Sequence, residues 1–257
     1  MINLNKETLT GAIKAFGKEC KIFQSEAQFQ FELAWKLQKQ FPDCRVKLED
    51  MRAAYVKKEE KNGIKRKFYT DIVLEEKGYS IAIELKYKTA EYYDEKSGIC
   101  LFEHGAVDLG RYDYLWDVHR VELLTGKGNN KEFSGDVEVL NNKGCNKGFA
   151  VLLTNEEKYW TQSYIDKKDT MDNQFKIGNK THVLYNKDLD WKKIKEDNEK
   201  YNKNYRNYPT TILKKNGTPS ERAQPIHLVK QYDYRWVDYC NFKENNNGLF
   251  RFVIIEV

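Results

Sequence analysis

The sequence predicts an α/β fold, a mixed central sheet flanked by helices with an elaborated carboxy-terminal half. Three observations carry this. Residues 25–41 combine a helix-start signal with an apolar stripe. Residues 67–87 alternate as two strands around Lys77-Gly78. A helical segment from Gly105 to Leu124 precedes the continuous apolar run Phe149-Ala150-Val151-Leu152-Leu153.

In chain order, Leu9, Ile13 and Phe16 suggest a short first helix ended by Gly17. The better helix begins at Ser25, which stands in capping-box spacing with Gln28. Ala27, Phe31, Ala34 and Phe41 mark its apolar stripe, and Pro42 stops it. Residues 44–56 read as one bent strand or two short ones, and strands follow at 67–75 and 79–87.

The segment from Gly105 to Leu124 is apolar on more than one side. Val107, Tyr114, Val118 and Val121 lie on one side and Leu109, Tyr112, Trp116 and Leu123 on another, as in a sandwiched helix. Residues 126–147, rich in Gly and Asn, read as loop, and 149–153 as a strand buried on both faces. Residues 159–180 show no period and 188–201 read as a polar helix. Strand signals return at 227–229, 236–242 and 249–257. With no repeat or flexible linker, the expectation is one domain over 1–257, with 156–225 an insertion or elaboration and 226–257 terminal strands.

The 257 residues are 40% hydrophobic and 32% charged, enough for a full core under a charged surface. No apolar stretch is long enough for a membrane helix, and the polar amino terminus does not resemble a signal peptide, so a cytoplasmic location is expected. The five scattered cysteines include no C-x-x-C pair and are read as reduced thiols. The four histidines lack ligand-like spacing. A net charge of +5, with 44 basic residues interleaved among 39 acidic ones, permits a polyanionic partner without demanding one.

The hairpin carries the chemistry. With Lys77-Gly78 as a two-residue turn, Asp71 stands opposite Glu84, Val73 opposite Ala82 and Tyr69 opposite Lys86. Asp71, Glu84 and Lys86 then share one face, while Ile72, Leu74, Ile81, Ile83 and Leu85 point into a core. Two opposed carboxylates, roughly 5 Å apart at Cβ, repel unless neutralised. Magnesium suits such a pair, because it takes hard oxygen ligands, polarises a phosphoryl group and activates water. Lys86 would orient or deprotonate that water, or offset charge on phosphorus. The competing reading is an ordinary solvent-facing hairpin. Against it, Glu84 interrupts an otherwise apolar strand, where a charge needs a partner.

Thr70-Asp71 followed by Ile83-Glu84-Leu85-Lys86 resembles the signature of the PD-(D/E)XK nuclease superfamily, with Thr70 in place of the nominal proline. The resemblance covers a core of residues 25–155 and implies a restriction-endonuclease-like fold. It also implies Mg²⁺ or Mn²⁺ as cofactor and hydrolysis of phosphodiester bonds in nucleic acid, with DNA favoured by the superfamily's habits. In that family a carboxylate from the preceding helix often joins the metal, and Glu26 is the matching position. An acid in the first helical turn also suits the helix dipole. The alternative is a catalytically inactive nuclease fold serving as a nucleic-acid-binding or interaction module. A homodimer is compatible with either.

Weaker contact candidates are Arg111 and Arg120 on the long helix, where Asp113, Asp117 and Arg120 form a polar strip best explained by intrahelical pairing. Lys192, Lys193 and Arg206 lie in an aromatic and basic stretch, 187–215, that suits nucleic acid or a solvated surface equally.

Overall fold

A computed structural model of the chain describes residues 2–57, 66–95, 97–127, 137–140, 143–161, 172–179, 185, 187–189, 191, 222, 226–242 and 246–257. The helices are α1 (Lys6–Lys18), α2 (Glu26–Gln40) and α3 (Val107–Leu124). The strands are β1 (Arg45–Lys57), β2 (Arg66–Glu76), β3 (Tyr79–Lys88), β4 (Tyr92–Asp94), β5 (Ile99–Leu101), β6 (Val137–Leu140), β7 (Lys147–Thr154), β8 (Asp188–Leu189), β9 (Ile226–His227), β10 (Val237–Asn241) and β11 (Leu249–Glu256). Seven strands form one mixed sheet in the order β10-β11-β7-β3-β2-β1-β6. Among the described residues only the β3–β7 pair of this sheet is parallel, and α3 lies in the crossover between them.

Turn chemistry sets the central hairpin. Lys77 and Gly78 both have positive φ (48° and 83°), the conformation whose twist matches two antiparallel strands. The expected register follows from Glu76↔Tyr79 to Ile72↔Ile83. Side chains alternate across the sheet, so Ile72, Leu74, Ile81, Ile83 and Leu85 join α1 and α2 in one buried cluster. On the other face α3 packs with Ala150 and Leu152 of β7 and Val253 and Ile255 of β11. The carboxy-terminal residues Trp191, Leu228, Tyr234 and Trp236 cover α3, which is therefore sandwiched, as its two apolar sides require.

The local readings fail in five places, each for a tertiary reason. Gly17 does not end α1, which runs on through Lys18. A Cβ there would lie 2.0 Å from the Tyr239 carbonyl oxygen, so glycine permits close packing against β10. Helix α2 buries Phe29, Leu33, Ala34 and Leu37, whereas Ala27 and Phe31 of the expected stripe face outward. Phe31 instead stacks on exposed Trp35. The 126–147 stretch contains β6, which extends the sheet beyond β1. Asp188-Leu189 is a strand rather than a helix start, and residues 192–201 lie outside the described residues. Trp191 is buried in the core, with Nε1 donating to the Arg222 carbonyl, and so is no ring for stacking bases. No helix among the described residues is long and apolar enough to cross a membrane.

The two glycines of α1 should respond with opposite sign. Gly11→Ala meets no atom within 4 Å and should raise the melting temperature, since alanine gains up to about 1 kcal/mol in a helix interior. Gly17→Ala should lower it despite the same propensity gain, because its Cβ would collide with backbone. Thermal unfolding of both variants checks this.

Candidate active site

The site forms where the ladder between β2 and β3 stops. Backbone pairing ends at Ile72↔Ile83, although β2 continues against β1 as far as Tyr55↔Arg66. Asp71 and Glu84, like Tyr69 and Lys86, are therefore not ladder partners, one residue short of the expected pairing. The fork leaves β3 amides to be satisfied, because an unpaired buried N–H is costly. Two acids take them. Leu85 N donates to Asp71 Oδ2 at 2.6 Å, and Tyr87 N donates to Glu26 Oε2 at 2.7 Å. On the other side Gln30 Nε2 of α2 donates to the Asp71 carbonyl at 2.7 Å and to Glu49 Oε1 at 2.8 Å.

Ser25 caps α2 through its Oγ, which accepts from Gln28 N at 3.1 Å, while Gln28 Oε1 reaches back to Gln24 N at 2.7 Å. This fixes the first turn and with it Glu26 at the mouth of the fork.

Glu84 and Lys86 point toward α3, and α3 answers with Asp117 and Arg120. Lys86 Nζ lies 2.8 Å from Asp117 Oδ2. Arg120 Nη2 lies 3.1 Å from Glu84 Oε1, and Nη1 lies 3.3 Å from Asp117 Oδ1. Arg120 also donates to the Tyr69 carbonyl and covers the Phe68 ring. Asp113, the third member of the polar strip, pairs instead with Arg222 through two contacts of 3.0 and 2.9 Å. The strip is thus intrahelical only at Asp117–Arg120, where Asp117 is buried and Arg120 half-buried.

Burial dominates the electrostatics. It pushes the Asp71 carboxyl up to about 7, with Asp117 and Glu26 adding to the effect while Lys86 and the Leu85 amide oppose it. Burial also raises Glu84 well above the ordinary carboxylate range. Arg120 offsets part of that penalty, and Asp71 and Asp117 add to it. Lys86 behaves oppositely: burial acts to lower its pKa, but Asp117, Glu26 and Asp71 outweigh burial and hold the ammonium above its ordinary range. The Asp117 contact thus favours the ammonium form of Lys86 over the neutral amine that a base would need.

Both Glu84 oxygens are buried without a hydrogen bond among the described residues. Their nearest counter-charge, Arg120, sits at ion-pair distance. A carboxylate in that state, beside a second carboxylate with a raised pKa, has the hard-oxygen donor set that magnesium takes with one or two protein carboxylates. Glu26 Oε2 is engaged by Tyr87, and among the described residues no three His, Cys, Asp or Glu side chains form a ready metal-holding group.

Arg111 is buried and tied down, with Nη1 2.7 Å from Asp172 and Nη2 2.5 Å from the Lys158 carbonyl. It ties α3 to the segment beneath it and presents no cation to a phosphate. Lys192, Lys193 and Arg206 lie outside the described residues. The residue missed at this site is Asp117: its i, i+3 spacing to Arg120 was visible, but its bond to Lys86 is a tertiary fact. No family model, curated protein or solved structure matches the chain.

A pH dependence follows. The folded Asp71 pKa lies above its unfolded value near 3.8, so folded protein holds the extra proton and stability falls as pH rises from about 4 to about 7. Asp71→Asn, which can still accept from Leu85 N, removes that loss. Its melting temperature relative to wild type should climb between pH 5 and 7 and level off above. A constant difference would contradict the burial of Asp71.

Proposed function

We propose that the chain is a metal-dependent nuclease that hydrolyses phosphodiester bonds of nucleic acid, with DNA the expected substrate and Asp71, Glu84 and Lys86 its working residues. The observation that carries this reading is Glu84: a carboxylate on a buried strand, neither oxygen hydrogen-bonded among the described residues, near Asp71 at the opened ladder and with Lys86 next along the same face. Supporting it is the order of elements around the site, a helix before the hairpin, a helix after it and then a buried strand, which the PD-(D/E)XK resemblance implies.

In this reading Asp71 and Glu84 hold a magnesium ion. Bound there, the ion supplies Lewis-acid polarisation of a phosphoryl oxygen and a lowered pKa for attached water. The chain's own residues do the rest. Lys86, held protonated by Asp117, places a positive charge where negative charge builds on the phosphoryl oxygens. Arg120 balances Glu84 while no phosphate is bound and is the second cation within reach of the same carboxylates. Glu26 and Asp71 cap the β3 edge and keep the fork open.

One observation favours the alternative, an inactive nuclease fold acting as a binding or interaction module. Arg120 and Lys86 already pair with Glu84 and Asp117, so each of these two acids has a counter-charge without an added ion.

Cleavage separates the two. Lys86→Ala should reduce cutting of a plasmid or oligonucleotide by at least about a hundredfold with Mg²⁺ or Mn²⁺. It should also lower stability, because buried Asp117 loses a partner, by about 3 kcal/mol. The double variant Lys86→Ala/Asp117→Asn should regain stability and remain inactive, which distinguishes lost chemistry from a loosened fold. A wild-type protein inactive on single-stranded, double-stranded and branched DNA and on RNA, with either metal, would leave the binding module.

A further inference from the structure

At one edge of the sheet the end of α1 meets the edge strand β10. Cys20 Sγ and Cys240 Sγ lie 3.2 Å apart, although 220 positions separate them in sequence. Both cysteines are free thiols. Two local features bring them together.

Helix α1 closes with a pair of backbone bonds, Cys20 N to the Gly17 carbonyl at 3.0 Å and Lys21 N to the Phe16 carbonyl at 3.1 Å. In that motif the residue after the cap takes the left-handed conformation and is usually glycine. Here it is Cys20, with φ 50°. The cysteine side chain is thereby held at the very end of the helix.

Strand β10 contributes a bulge. Its pairing with β11 shifts between Asp238 and Cys240. Tyr239, the extra residue, sends its hydroxyl to the Lys21 carbonyl at 2.5 Å, and its own carbonyl occupies the space that a Gly17 side chain would need. Bulges re-aim side chains in this way. The two backbones are already fitted to each other around the sulfurs.

We propose that Cys20 and Cys240 form a redox pair that peroxide closes to a disulfide, stapling the end of α1 to the edge of the sheet. Cys20 is exposed and meets the oxidant first. Its thiolate sulfur attacks one peroxide oxygen, so that the O–O bond breaks, an S–O bond forms and hydroxide leaves to take a proton. The Cys240 sulfur then attacks the Cys20 sulfur; the S–S bond forms as the S–O bond breaks, and a second water leaves. Two thiols give up two electrons and two protons to one peroxide, yielding one disulfide and two waters. Burial, reinforced by the contact with Cys20, pushes the Cys240 thiol up to about 12, which suits a resolving partner rather than a first nucleophile. Reaching bonded distance asks the sulfurs to approach by about 1.2 Å.

The test uses the full chain and needs no nuclease activity. Wild-type protein is treated with hydrogen peroxide, its remaining thiols are alkylated, and a non-reducing digest is analysed by mass spectrometry. The expected result is loss of two of the five thiols, a linked peptide joining Cys20 to Cys240, and a raised melting temperature that dithiothreitol reverses. Cys20→Gly, which suits the positive φ, and Cys240→Ser should each abolish the linked peptide and the melting shift, whereas Cys100→Ser should keep both. Alkylation of both Cys20 and Cys240 after peroxide would overturn the proposal, as would a link from either one to Cys100 or to a second copy.

Discussion

Everything at the candidate site depends on the parting of β2 from β3 after Ile72↔Ile83. A sheet buried on both faces cannot leave amides open, so the parting persists only because side chains replace the missing ladder. Asp71 and Glu26 accept from the Leu85 and Tyr87 amides, and each carboxylate is thereby fixed in place. The same requirement that stabilises the fork thus sets two acids at its mouth. Structural and chemical roles coincide here because one oxygen of each carboxyl group accepts an amide and the other is not needed for that bond.

Among the described residues the resulting cluster gathers Asp71, Glu84 and Asp117, with Glu26 beside them, around two cations, Lys86 and Arg120. A buried ion pair balanced against hydrophobic packing is weak evidence for stability, and surplus buried acid is a liability. The raised Asp71 and Glu84 carboxyls express that liability directly. The sandwiching of α3 adds to it, because aromatic residues of the carboxy-terminal half bury the apolar sides of the helix that carries Asp117 and Arg120. An arrangement that costs stability and is nonetheless built from four separate elements points to use.

What the sequence disclosed follows the range of the forces involved. The β2–β3 register was legible because the Lys77-Gly78 turn fixes it locally, and β7 because a strand buried on both faces must be apolar throughout. The sandwich around α3 was legible from its two apolar sides. The inward face of α2 was not: Ala27-Phe31-Trp35 and Phe29-Leu33-Leu37 are both apolar stripes, and periodicity cannot say which one meets a sheet. Glu26 could be placed by its position in the first turn, yet its bond to Tyr87 depends on a fork that no local pattern encodes. Asp117 read as half of an intrahelical pair because its second partner, Lys86, comes from another element. The Cys20–Cys240 contact and the fit of Gly17 against Tyr239 are likewise products of tertiary packing.

The central claim is that Asp71 and Glu84 hold a divalent cation, and that Arg120 otherwise supplies the counter-charge to Glu84. A crystal structure of the protein soaked in manganese, with an anomalous difference map at the manganese edge, measures this directly. The expected result is a peak bridging the Asp71 and Glu84 carboxylates, with the Arg120 guanidinium drawn away from Glu84. A map with no peak there, and Arg120 still at ion-pair distance from Glu84, would contradict it.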